Sequence, residues 1–140
     1  MYTKAYINDR INLSYDGPYK IRESLIKLGI NEEIINHNIN IFDKELEKKR
    51  IIKIIERQIK INHNKGNNLL KRKILDYLVM QGYTKETAMS EVNKIKIDDQ
   101  DIMKKEYDKL YKKLSKKYRG KELEYKIKQK LYQKGFYHEG

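Results

Sequence analysis

Apolar residues recur along this chain at helical spacing. Ile21 and Leu25, Ile74 and Leu78, and Ile127 and Leu131 are each four residues apart, so each pair shares one helix face. A Lys precedes each Ile, and a Gly follows each Leu by four residues. The three stretches, Lys20 to Gly29, Lys73 to Gly82 and Lys126 to Gly135, align without gaps every 53 residues. Self-similarity at a fixed period is the signature of a tandem architecture.

Each position in the repeat has a physical reason. Gly29, Gly82 and Gly135 stand where a helix must stop, because a left-handed residue beyond the last turn costs least as Gly. An apolar residue follows each one, Ile30, Tyr83 or Phe136, as the cap's hydrophobic contact requires. Asn31 and Thr84 are N-cap types, and Glu32, Glu33 and Glu86 place negative charge in the next first turn. Ile34, Ile35, Ile39 and Phe42 predict the core face of the helix after Gly29, and Ala88, Val92 and Ile95 that of its counterpart.

A longer helix opens each repeat, at about 2–12, 43–62 and 99–118. Ile51, Ile52, Ile55 and Ile59 predict the apolar face of the second. Tyr107, Leu110, Tyr111, Leu114 and Tyr118 predict that of the third, and Asp98 and Asp99 its N-cap. Loops punctuated by Gly17, Gly66 and Gly120 lead into the middle helices, and Pro18 suits a first helical turn.

The expected fold is therefore all-α, with tandem three-helix repeats stacked into an elongated, curved, right-handed array. The repeats fall at 1–42, 43–95 and 96–140. The first is expected to be N-terminally truncated. The third is expected to be C-terminally truncated, its last helix cut at His138.

Composition fits this picture without proving it. Hydrophobic residues make up 39% and charged residues 37%, so little apolar surface is available for one thick core. With no cysteine there are no disulfides or thiolate metal sites, and a reducing compartment is expected. No apolar run approaches a membrane span and residues 1–15 lack a signal-peptide core, so the expectation is a cytoplasmic protein without membrane contact. The high charge favours a monomer.

The net charge of +12 is unevenly placed. Residues 1–40 hold five basic and five acidic groups, 41–95 hold thirteen and seven, and 96–140 hold fourteen and eight. A positive field of this kind favours polyanions or an acidic protein surface. Its densest run is Lys104, Lys105, Lys109, Lys112, Lys113, Lys116, Lys117, Arg119 and Lys121. Lys71, Arg72 and Lys73 open the middle helix of the second repeat. Their counterparts are Lys20 and Arg22 in the first repeat, and Lys126, Lys128 and Lys130 in the third. The partner- or nucleic-acid-binding residues expected from these clusters are Lys20, Arg22, Lys71, Arg72, Lys73, Lys112, Lys113, Lys116, Lys117, Arg119, Lys126 and Lys130.

Catalytic and metal chemistry find no support. His37, His63 and His138 lack metal-ligand spacing, and Asp98, Asp99 and Asp101 lack the Gly and Glu of a calcium loop. There is no phosphate-cradling glycine loop and no nucleophile with its base, so neither an enzyme nor a cofactor is expected. Tyrosines among lysines can stack on bases, and Tyr107, Tyr111, Tyr118, Tyr125 and Tyr132 have that setting. Tyr107, Tyr111 and Tyr118, however, share helical spacing with Leu110 and Leu114, which predicts core packing. A Myb-like repeat would need core Trp and a basic third helix. This chain has no Trp, and residues 31–42 contain no Lys or Arg.

Two stretches carry a family resemblance. Tyr6-Ile7-Asn8-Asp9-Arg10, then Gly17-Pro18-Tyr19-Lys20-Ile21 through Leu25 to Gly29-Ile30, resembles the bacterial RecX regulatory proteins. Lys116-Lys117-Tyr118-Arg119-Gly120-Lys121 and Lys126 through Leu131 to Gly135-Phe136 is similar to that family's C-terminal part. The resemblance implies a modulator that binds the RecA filament on DNA and inhibits ATP hydrolysis, filament growth and strand exchange. It thereby implies a role in recombination, DNA repair and the SOS response. The family's additional N-terminal residues are absent here. The alternative is a nonspecific nucleic-acid-binding helical repeat protein, and weak direct DNA binding is compatible with either reading.

Overall fold

A computed structural model describes residues 2–62, 65–96 and 98–136. Among them there is no strand, and eight α-helices follow one another: α1 Tyr2–Leu13, α2 Pro18–Lys27, α3 Glu32–Asn38, α4 Lys44–Ile61, α5 Asn67–Met80, α6 Lys85–Val92, α7 Gln100–Leu114 and α8 Gly120–Gln133. A single 3-10 turn, Ile39–Ile41, extends α3. The fold is all-α. α7 stops at Leu114, four residues short of the expected end. His63, His138 and the helix expected to begin at His138 lie outside the described residues.

The three stop signals work as their chemistry requires. Gly29, Gly82 and Gly135 take φ of 81°, 93° and 90°. At each, the N–H of the following residue reaches back to the buried Leu: Ile30 to the Leu25 carbonyl, Tyr83 to Leu78 and Phe136 to Leu131, at 3.1, 3.1 and 3.0 Å. The glycine N–H donates to Ile26, Val79 or Tyr132, each at 3.0 Å. These paired bonds form a Schellman cap, made three times in the same way.

The chain divides into two compact units, Met1–Arg57 with Ile74–Lys94, and Gln58–Lys73 with Ile95–Gly140. In the first unit α1 packs on α2 and α3. Its core includes Ile7, Ile21, Leu25, Ile35, Ile51, Ile54, Leu78 and Tyr83, all nearly inaccessible to water. In the second, α7 packs on α8 around Leu110, Leu123, Ile127, Leu131 and Phe136.

One joint recurs, once inside each unit. In the first, the Gly17 N–H donates to the Gln81 carbonyl at 2.7 Å and the Tyr19 N–H to the Gly82 carbonyl at 2.9 Å. In the second, the Gly66 N–H donates to the Lys134 carbonyl at 3.0 Å. A loop that starts one helix thus sits directly on the glycine cap that ends another. A Cβ on Gly17 would lie under 3.0 Å from the backbone of Gly82 and Tyr83, and one on Gly66 equally close to Gly135 and Phe136. A Cβ on Gly82 would in turn strike Lys20, and one on Gly135 would strike Leu69. The caps are 53 residues apart but the loops are 49 apart, because α5 has 14 residues and α2 has 10. The difference is about one helical turn. Before α8 the N-cap is Arg119, and Gly120 has open space where its Cβ would stand.

Several side chains depart from their expected places. Ile34 and Ile52 were expected in the core but are 49% and 38% exposed, while Ile54 is buried. At roughly 100° per residue Ile52 lies a quarter turn from Ile51, whereas Ile54 and Ile55 flank it closely on either side. Asn31 caps α3 as expected, accepting from the Glu33 N–H at 2.8 Å. Thr84 holds the N-cap position of α6, but its hydroxyl makes no cap bond; its own N–H donates to Glu47 Oε1 at 2.9 Å. Asp99 holds the expected N-cap position of α7, but its carboxylate accepts from the N–H of Asn67, the first residue of α5, at 2.9 Å. It is Asp98 that accepts from the Gln100 N–H, at 3.1 Å.

Candidate binding interface

Ten of the twelve expected binding residues lie in the second unit: Lys71, Arg72, Lys73, Lys112, Lys113, Lys116, Lys117, Arg119, Lys126 and Lys130. Lys20 and Arg22 are in the first. The two groups differ in what holds them. The Lys20 ammonium pairs with Asp16 at 3.4 Å and reaches Gln81 Oε1 at 3.4 Å, and Arg22 donates to Asn36 Oδ1. Both are tethered by their own neighbours.

In the second unit the cations are freer. Arg72 and Lys73 are exposed on the first half of α5, and Lys71 is half-buried. Lys112 and Lys113 are exposed in the last turn of α7, and Lys116, Lys117 and Arg119 follow them, also exposed. None of these eight forms an ion pair among the described residues, nor does the exposed Lys130 on α8. Lys126 is different: half-buried, its ammonium sits 5.4 Å from the centre of the Tyr118 ring. An unpaired, solvated lysine keeps its charge available to an incoming anion, whereas a paired one must first lose its partner.

α7 shows why its basic surface is presented outward. Leu110 is buried, with Met103 and Leu114 packed beside it, and the stripe faces α8. Tyr118 packs against the same cluster, as expected. Tyr107 and Tyr111 do not: they are 39% and 50% exposed. At roughly 100° per residue they lie about 60° and 100° around the helix from Leu110, at and beyond the edge of the buried stripe. Their rings stack on one another, centres 6.4 Å apart and planes 21° from parallel.

A buried carboxylate takes the opposite edge of that stripe. Glu106 is 6% exposed and accepts from the Lys134 ammonium at 2.6 Å, with Lys109 at 3.7 Å. The Lys134 hydrogen bond, helped by both ammonium charges and opposed by burial, holds its carboxyl below the ordinary glutamate range. Lys134 also lends its carbonyl to Gly66, so ion pair and joint meet on one residue. Beside the joint, Asn68, Leu69, Arg72, Tyr132, Gln133, Gly135 and Phe136 line an open groove of about 460 Å³.

The first unit holds residues that the sequence reading missed. Arg50 on α4 donates to the Ile11 carbonyl at 2.7 Å, to the Ser14 carbonyl and to Tyr83 Oη at 3.3 Å. Its guanidinium lies 5.8 Å from the Phe42 ring centre and 5.9 Å from that of Tyr15. Tyr83 Oη donates to the Tyr15 carbonyl at 2.8 Å, and burial raises the Tyr83 pKa above its ordinary value despite the neighbouring Arg50. Nothing distinguishes Arg50 in the sequence from the other cations of α4.

No cluster of His, Asp and Glu among the described residues could hold a metal ion, and His37 is exposed on α3. No helix among them is long and apolar enough to cross a membrane.

Comparison with known proteins gives this surface a context. No family model matches the chain, and no solved structure matches it. Curated relatives do. The regulatory protein RecX of Bacillus cytotoxicus is 31% identical over 141 residues, covering 96% of this chain and 52% of that protein. Its namesake in Bacillus mycoides is 30% identical over 140 residues, with the same coverage. That of Streptococcus agalactiae is 29% identical over 144 residues, covering 99% and 55%. The chain spans about half the length of the curated relatives it matches. By sequence kinship over nearly all of its own length, it is a relative of the bacterial RecX regulatory proteins.

Proposed function

We propose that this chain acts in the regulation of RecA: it binds RecA filaments on DNA and opposes ATP hydrolysis, filament growth and strand exchange. The observation that carries the reading is the similarity to RecX proteins across 96% of the chain. The unpaired cations of the second unit support it, because a filament on DNA is a polyanion lined by protein. In this reading the chain works by binding, as a cytoplasmic monomer, and modulates recombination, DNA repair and the SOS response without catalysing a reaction.

A second reading is favoured by one observation, the concentration of unpaired cations in a single unit. It makes the chain a nonspecific nucleic-acid binder whose effect on recombination is indirect. The measurement that separates the two is the DNA-dependent ATPase of RecA with this chain added in stoichiometric amount. Slowing that survives when DNA is in large excess supports RecA binding. If ATP hydrolysis is unchanged, or is slowed only until more DNA is supplied, the RecA reading fails. Nonspecific binding alone should also weaken steeply with salt.

A further inference from the structure

The stacked pair on α7 stands outside the buried core. Tyr83 is enclosed and hydrogen-bonded, and Tyr118 is packed on the core beneath Lys126. Tyr107 and Tyr111 have neither arrangement; each leaves much of its ring surface in water, at 39% and 50% exposure. By helical position Lys104 and Lys112 lie nearest them on α7, with the exposed Asp108 between. From Lys104 to Lys121 there are nine Lys or Arg and two acidic residues, Glu106 and Asp108. Glu106 is buried and satisfied by Lys134, so its charge is already met from inside the unit.

The long helix of the first unit makes the contrast. α4 carries seven Lys or Arg and no aromatic residue. Of the two, α7 adds exposed rings set among charges. Tyr125 and Tyr132 on α8 are exposed among lysines too, and the pair on α7 is set apart by its stacking. That combination suits one ligand chemistry: a flexible chain of phosphates that carries flat, unpaired bases. Duplex DNA presents its phosphates but keeps its bases stacked inside, and an acidic protein offers no regular array of flat rings.

We propose that Tyr107 and Tyr111 form a stacking site for the unpaired bases of single-stranded nucleic acid, with the neighbouring lysines holding its phosphates. The pair is already offset-stacked, so two successive bases can continue the arrangement without reordering the helix. The proposal goes beyond RecA regulation and does not depend on it, since RecA is absent from its test.

The test compares the chain's affinity for an oligothymidylate of about 12 nucleotides with that for an abasic phosphodiester strand of equal length. Fluorescence anisotropy of the labelled strand, at one fixed salt concentration, reads both. The unaltered protein binds the thymidylate more tightly. Tyr107→Ala with Tyr111→Ala loses roughly fivefold to a hundredfold of that affinity per ring while abasic binding is unchanged. Tyr107→Phe with Tyr111→Phe keeps it, because the ring face is retained. Lys104→Glu with Lys112→Glu weakens both strands alike. Equal binding of the two strands by the unaltered protein overturns the proposal, as does an alanine variant that loses both strands equally or neither. A phenylalanine variant that behaves like the alanine one also overturns it.

Discussion

The two units solve one packing problem with different side chains. Each seats a helix-opening loop on a glycine cap, backbone against backbone, with hydrogen bonds of 2.7–3.0 Å. Around that joint the first unit uses a cation among aromatic rings: Arg50 bonds two carbonyls and the Tyr83 hydroxyl, beside Phe42 and Tyr15. The second uses carboxylates, with Asp99 at the start of α5 and Glu106 held by Lys134. The joint is what the two have in common; its support is interchangeable. The second unit also carries ten of the twelve candidate binding residues. Two of its acids, Glu106 and Asp99, are engaged by Lys134 and by a helix terminus, and none of those ten cations forms an ion pair among the described residues.

The sharpest way to break the comparison is at the joints. Gly82→Ala and Gly135→Ala each force a positive φ on a side chain and push a Cβ into backbone, and should cost about 3–5 kcal/mol in urea unfolding. Gly29→Ala has the same φ but open space, so only the backbone strain of about 1–2 kcal/mol remains. If all three substitutions cost the same, the joints contribute nothing beyond cap geometry.

A smaller change should act on one unit alone. Arg50→Ala leaves the Ile11 and Ser14 carbonyls without their donor and should destabilise the first unit by roughly 2 kcal/mol. Native-state hydrogen exchange should report faster opening of α1 and α2, with α7 and α8 unchanged. Uniform loss of protection across both units would show that the hub is not local.

The smallest effects come with pH, and they carry opposite signs. Glu106 titrates below its ordinary value of about 4.3. Its stabilisation is therefore complete above that value, and the second unit loses it as pH falls through the acid range. Tyr83 titrates above its ordinary value of about 10. Its contribution is present below pH 10, and the first unit loses it as pH rises further. Glu106→Gln should flatten the acid limb and leave the alkaline one intact, as seen in thermal unfolding across pH.

How far these units could be read from residues alone depended on whether a signal was local. The Schellman glycines were legible because stripe, stop and apolar follower lie within ten residues. Gly17 and Gly66 were read as loop punctuation, because the atoms that forbid their Cβ lie 65 and 69 residues away, at Gly82 and Gly135. Arg50 was unreadable for the same reason, its partners being on α1 and before α6. The error on Tyr107 and Tyr111 has another origin. Periodicity places a residue on a side of the helix, but the width of the buried stripe is set by how many neighbours cover it. The basic residues were found by composition, and which of them are unpaired depends on contacts that composition does not record.

The joint between loop and cap has a consequence for how such chains can grow. Its hydrogen bonds run between main-chain atoms, and its steric demand is met by glycines rather than by matched side chains. A repeat copied within a gene therefore arrives with a fitting that any neighbour bearing the same glycines can accept. Neither surface has to change in step with the other. Lengthening the chain then needs only duplication, and the residues around each joint are left free to diverge into an arginine hub in one copy and an ion pair in the next.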